Sequence, residues 1–384
     1  MIYLDNNAST PLDPAVRDAM ASAADLHGNP SSVHFDGRRA RRAIEEARAE
    51  VARLVNADPE EIFFTSGGTE SNALAIYGST AGRSGRIVTT AAEHPSVREP
   101  VARLGETGAI ETTAVRPEPT GALDPAKVLD AAAPGTLLVS VMAANNEYGG
   151  LFPVAELAPR LRERGIPVHT DAVQAAGKVP IDVRAWQTDL LTLSAHKLHG
   201  PKGAGALFVR RGVPIRAHTP GGGQEKKVRG GTENTSAIVG FGVAARLARE
   251  RMAGDAPRIA ALRDRLERGI VAAIPGARAV GSSAPRTPNT AAILFDAVPG
   301  DALLFRLDLE GVAVSVGSAC SSGTLTPSPA ILSLGFSKEE AKGVVRFSLS
   351  RLTTDDEVDR VLALLPAIVA EARAVRRPPA LATR

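Results

Sequence analysis

A single cysteine, Cys320, stands in the 384 residues, which excludes an intramolecular disulfide and the cross-linked framework of small secreted proteins. Cys320 is therefore either a small packed hydrophobe or a reagent. Charge of one sign is lacking as well. The 45 Lys and Arg against 42 Asp and Glu leave a formal charge of +3, too little for a nucleic-acid footprint. The densest basic run, Arg38-Arg39-Ala40-Arg41-Arg42, leads straight into Glu45, Glu46 and Glu50. The i,i+4 spacing of Arg41 with Glu45 and of Arg42 with Glu46 reads as a solvated helix face. No window approaches the roughly 18 consecutive apolar residues of a membrane span, and MIYLDNNASTPLDP puts no basic stretch ahead of an apolar one. No membrane partner and a cytoplasmic location are expected. His196 and His199 have no carboxylate or thiolate near them in sequence, so no metal is expected.

What is present is a chain 44% hydrophobic, long enough for a substantial core and two domains. From about residue 60 to 210, short apolar runs alternate with Ala-rich helical stretches. The runs are Ile62–Thr65, Arg86–Thr90, Leu137–Met142, Val168–Asp171, Leu190–Ser194 and Ala206–Arg210. This alternation predicts an α/β fold with a mainly parallel sheet between helices, and such sheets bind ligands at the carboxyl ends of their strands. The chain turns Gly-rich at Gly221–Thr232, and a helical pattern from about Ala237 to Ala273 leads into a second set. That set comprises Asn289–Phe295, Asp301–Glu310, Val312–Val316, Val344–Leu349 and the amphipathic Asp355–Val375.

Three strand ends carry chemistry. Thr65-Ser66-Gly67-Gly68-Thr69 closes an apolar run and opens a helix near Glu70, which suits an anion at backbone N–H groups and a helix N-terminus, or equally an ordinary capped turn. Ser194, His196 and Lys197 end another run. A lysine partly desolvated there has its pKa lowered from about 10.4, so that its amine can condense with an aldehyde; the alternative is a lysine snorkelling at the surface. Asp171, with Gln174 three residues on, ends a third run and suits either a protonated pyridine nitrogen or a helix N-cap.

TSGGTESN, AAEHPSV, NNEYG, HTDAVQ, SAHKLHGPKG, RGGTEN, GSACSSG and RFSLSR resemble, in order and across most of the chain, the cysteine desulfurases of the class-V, fold-type I aminotransferases. The resemblance implies a large domain at 15–250 with a seven-stranded sheet that binds pyridoxal 5′-phosphate. Residues 1–14 and 251–384 would form a smaller α+β domain carrying Cys320. It implies Lys197 as cofactor anchor and proton carrier, and Gly68, Thr69, Ser194 and His196 around the phosphate. Thr232 would reach that phosphate from the partner subunit of a homodimer. His94 would stack on the ring and move protons, Asp171 would pair with the ring nitrogen, and Gln174 and Asn146 would bond near the ring hydroxyl or substrate. Asn146 is preferred to Asn145 on family spacing. Arg346 would grip the carboxylate of L-cysteine with its planar fork, the alternative being an interdomain ion pair. Cys320 would take the sulfur as a persulfide, its proton lost to a depressed pKa or to a base such as His94.

The implied products are alanine and sulfur for an acceptor protein, such as an iron–sulfur scaffold or a tRNA-thiolation protein. Tyr148, Leu198-His199 and Ser315-Val316 depart from the family pattern and leave the acceptor open. A selenocysteine lyase would use nearly the same residues, a transaminase would not need Cys320, and a sulfur-carrying scaffold would turn over only with a partner. A dinucleotide-dependent oxidoreductase would rest on GPKGAG near residue 200, which follows the lysine loop instead of opening a helix after the first strand.

Overall fold

The structure is a computed structural model and describes residues 1–316 and 326–375. Its largest sheet has seven strands in the spatial order Ile62–Thr65, Gly205–Val209, Leu190–Ser194, Val168–Asp171, Thr136–Ser140, Gly85–Thr90, Ile110–Val115. From Leu190–Ser194 onward all neighbours are parallel, whereas Gly205–Val209 runs antiparallel to both of its neighbours. Leu190–Ser194, Val168–Asp171 and Thr136–Ser140 are buried along their whole length, as strands covered by helices on both faces must be. The six expected strands are present within a residue or two at their ends. The seventh strand that the resemblance implies is Ile110–Val115, which no apolar run marked; it lies at the edge, where exposed Glu111 and Thr112 interrupt its apolar pattern.

A four-stranded antiparallel sheet comes next, in the order Ser315–Val316, Val344–Ser348, Thr290–Phe295, Ala277–Ala279. The run Val312–Val316, grouped as one element in the sequence, is two strands. Val312–Ala313 pairs in parallel with Ile2–Tyr3, and Ser315–Val316 joins the four-stranded sheet. The helix Asp355–Val375 supplies Val358, Val361, Leu365, Ile368, Val369 and Ala372 to the core beside that sheet, the one-sided stripe that three- and four-residue spacing dictates. The 39-residue helix Thr235–Ala273 joins the two cores: Ala237, Ile238, Phe241, Ala244 and Ala245 pack in the large one, and Ile259, Leu262, Leu266 and Ile270 in the other. On the helix Phe35–Leu54 the basic run pairs as its spacing requires, Arg42 to Glu46 at 2.8 Å and Arg41 to Glu45 at 3.5 Å. Among the described residues no helix is long and apolar enough to cross a membrane.

Candidate active site

The carboxyl ends of the parallel strands open into a cleft with about 1070 Å³ of empty space. Its lining includes residues at or just past the ends of the strands Ile62–Thr65, Gly85–Thr90, Thr136–Ser140, Val168–Asp171 and Leu190–Ser194, together with Asn7 and Ala8 of the N-terminal segment and Arg346. Lys197 ends the short 3₁₀ turn Ala195–Lys197, directly after the strand Leu190–Ser194. Its ammonium donates to the carbonyls of Asn7 (2.6 Å) and Ala8 (2.7 Å). The N-terminal segment is brought there by bonds at both ends. The Asn6 amide donates to Ser348 O at 2.8 Å, and Thr10 N donates to His196 O at 3.0 Å.

The helix Gly68–Thr80 aims its first turn into the same cleft, and its N-cap, Gly67, offers no side-chain acceptor. The partial positive charge of that end is thus left to whatever occupies the cleft. Thr69, Ser194 and His196 line the space around it, and the buried Ser194 hydroxyl has no hydrogen-bond partner among the described residues. Gly205 makes the tight turn feasible: a Cβ there would stand 2.5 Å from Gly67 Cα. The nearby carboxylate, Glu70, is drawn off by Arg229 at 2.7 Å and Ser66 N at 2.8 Å. Against the cost of burial, those bonds hold it below its ordinary pKa, so its charge is matched instead of facing the anion site. Burial and the neighbouring Lys197 push His196 down to about 4, which keeps it neutral.

Asp171 ends the strand Val168–Asp171 and divides its two oxygens. One accepts from Val173 N at 2.9 Å, a turn cap, and the other from the Asn72 amide at 2.7 Å. Asp171 thus caps the turn and also lines the cleft. Asn72 also donates to Ser96 Oγ (2.8 Å), which lies 2.7 Å from His94 Nδ1. His94 likewise has two roles, capping the helix Pro95–Glu106 through Ser96 N (3.1 Å) while lining the cleft. Because Nδ1 accepts from that amide, neutral His94 carries its proton on Nε2. Burial lowers its pKa, with Lys197 and Arg98 adding to the effect and Asp171 opposing it. Beneath it, burial raises Glu93 to about 8, bonds from Met142 N and Thr90 notwithstanding. Neutral Glu93 spares Asp171 a like charge.

At the other wall the Arg346 fork donates to Asn146 O (2.9 Å) and Asp5 (2.8 Å), while its Nε, buried, lacks a partner among the described residues. The ion pair with Asp5 is thus present, and these two bonds leave further N–H groups of the fork, Nε among them, for a carboxylate. Asn146 lines the cleft, whereas Asn145 is spent on the turn, accepting from Glu147 N and Tyr148 N and donating to Ala92 O. Glu147, also lining the cleft, is raised in pKa by burial against the pull of Ser328, Arg346 and Arg98.

One cleft therefore gathers Gly68, Thr69, His94, Asn146, Asp171, Gln174, Ser194, His196, Lys197 and Arg346. Thr232 is exposed and lies outside its lining, and Cys320 lies outside the described residues. Asn7 and Asn72 are site residues that the motifs did not single out. Asn72 stands inside TSGGTESN, one turn into the helix, but Asn7 reaches the site only through tertiary folding. An uncapped helix end, an amine and a carboxylate in one cleft fit a phosphate-bearing aldehyde with a basic ring nitrogen.

The profile of the family described as aminotransferase class-V matches residues 2–361. A cysteine desulfurase of Sinorhizobium fredii is 46% identical over 98% of this chain and 98% of its own. Among solved structures, a NifS-like protein from Rickettsia africae superposes with a TM-score of 0.88 at 33% identity, covering 96% of this chain and 99% of that one. A structure described as SspA in complex with cysteine superposes with a TM-score of 0.81 at 33% identity, covering 92% and 100%.

Proposed function

The chain belongs to the class-V aminotransferase family, among its cysteine desulfurases, and from that premise we propose that it binds pyridoxal 5′-phosphate at Lys197 and passes sulfur from L-cysteine to Cys320. The observation that carries this reading is the single cleft in which the Lys197 amine, the Asp171 carboxylate and the uncapped N-terminus of the helix Gly68–Thr80 converge. Gly68, Thr69, Ser194 and His196 would hold the phosphate, joined by Thr232 of a second copy in a homodimer. Asp171 would keep a proton on the ring nitrogen, its carboxylate held in place by Asn72. His94, neutral, offers an aromatic face and a proton on Nε2. Gln174 and Asn146 offer amides beside the ring hydroxyl and the substrate. When bound, the cofactor supplies an aldehyde for the substrate amine and a ring that takes up charge from the substrate Cα.

The chain's own groups then divide the work. Arg346 binds the substrate carboxylate. The Lys197 amine would take the substrate Cα proton and later give a proton back to the carbon skeleton. Cys320, which lies outside the described residues, supplies the thiolate. As its sulfur bonds to the substrate sulfur the carbon–sulfur bond breaks, and the carbon skeleton leaves as alanine once protonated. A thiol that must stay reduced between turnovers suits the cytoplasm, and its persulfide serves an acceptor protein such as an iron–sulfur scaffold. Residues 15–250 read as the cofactor-binding domain and 1–14 with 251–384 as the smaller one, a division supported by the hand-over between cores along the helix Thr235–Ala273.

The test is the visible spectrum of the purified protein together with sulfide and alanine release from L-cysteine. Lys197→Ala should abolish the cofactor's visible band, and Cys320→Ser should keep the band but lose sulfide release. Unchanged sulfide release without Cys320, or no band in the parent protein, would overturn the proposal.

A further inference from the structure

Behind Lys197 lies a second cavity, with about 650 Å³ of empty space between the large sheet's helices and the loop at 349–351. Lys197 lines both spaces, and Lys178 lines the second. The Lys178 ammonium donates to Gln174 Oε1 (2.6 Å) and Asn7 Oδ1 (3.2 Å). Gln174 Nε2 in turn donates to Asn7 O (3.0 Å), the carbonyl that also accepts from Lys197 (2.6 Å). The Asn289 amide pins Asn7 Oδ1 from the far side at 2.9 Å. A closed ring of bonds thus ties two lysines to one asparagine, and Lys178 supplies the donor that fixes which way the Gln174 amide points.

A second observation concerns charge. Among the described residues Lys178 forms no ion pair. The charged groups facing it are Lys197 and Arg346. Across the cavity, Asp13 is already claimed by Arg251 and Arg351, His199 is pushed down to about 4 by burial and Arg351, and Asp255 is half-exposed. Burial first, then Lys197 and Arg346, brings Lys178 down to about 7. The repulsion between the two lysines is mutual.

Resting on the cofactor reading above, we propose that Lys178 is a positioning residue of the reaction: it orients Gln174 and Asn7 around Lys197. In Lys178→Met the Gln174 and Asn7 side-chain oxygens lose their donor, whereas Lys178→Arg keeps one. The measurement is the pH midpoint of the cofactor's visible absorbance change in the loaded protein, with dissociation of pyridoxal phosphate followed in parallel. Lys178→Met should move the midpoint by about one pH unit or more as the groups around Lys197 reorient, and Lys178→Gln, whose shorter side chain withdraws the donor and which is the variant to use if Met does not fold, should do the same. Lys178→Arg should stay near the parent value, which a merely structural role would not require. An unmoved midpoint in Lys178→Met or Lys178→Gln, with the band intact, would overturn this inference and leave the cofactor reading standing. A parent protein without the band would overturn both.

Discussion

At the scale of single residues, the site works by keeping some ionisable groups neutral so that others carry charge. Glu93 is the plainest case, titrating at about 8 in the fold against 4.5 in the open chain. A carboxyl raised in this way contributes stability that is whole below the unfolded value and is lost as pH climbs through the folded one. Urea midpoints of the parent protein should therefore fall between about pH 4.5 and about 8. Those of Glu93→Gln, which cannot ionise, should stay flatter across the same window, and parallel curves would refute a neutral Glu93. Arg346→Lys should raise KM for L-cysteine by ~10-fold or more while changing kcat less, because a point charge replaces a bidentate fork; an unchanged KM would remove Arg346 from the carboxylate site. Residues such as Lys197 and Asp171 were legible because each directly ends an apolar run, and strand ends are where α/β sheets place chemistry. Asn7 was not legible, for it sits in a segment with no periodic signal and meets Lys197 across 190 positions.

Elements were legible in proportion to their burial. Val168–Asp171 and Leu190–Ser194, buried throughout, were read with their observed ends. The edge strand Ile110–Val115 has no apolar run because its outer positions are polar, and Val312–Val316 reads as one element although its residues serve two sheets in turn. The helix Gly68–Thr80 begins two residues earlier than its sequence suggested, since an N-cap glycine gives no side-chain signal. That start depends on the neighbouring strand Gly205–Val209. In Gly205→Ala the new methyl carbon would overlap Gly67 Cα and displace the first turn, so pyridoxal phosphate should dissociate ~10-fold or more faster on dialysis, at little cost to the sheet. Retention equal to the parent's would show that the turn's position does not matter to the phosphate.

At the scale of the whole molecule, the proposed homodimer requires Thr232 to reach the phosphate site of a second copy. The loop that carries it is anchored by a buried ion pair, Arg48 to Glu225 at 2.8 Å, and the second Glu225 oxygen accepts from Phe64 N of the sheet's edge strand. Glu225, Lys226 and Lys227 all hold left-handed backbone (φ 43°, 54° and 66°), a conformation that non-glycine residues keep only when the surroundings enforce it. The chain then returns Arg229 to Glu70 at the helix start and leaves Thr232 exposed, outside its own cleft. A strained loop that leaves Thr232 exposed and outside its own cleft suits delivery of that residue to a second copy across a two-fold axis. Subunit mixing tests this. Lys197→Ala removes the amine and Thr232→Glu sets a carboxylate against the phosphate, so each homodimer should be nearly inactive. In a heterodimer isolated through two different tags, the chain with intact Lys197 receives an intact Thr232 from its partner, and about half the parent activity should return. If Thr232 served its own chain, that same site would face the Glu substitution, and the heterodimer would stay as inactive as either homodimer.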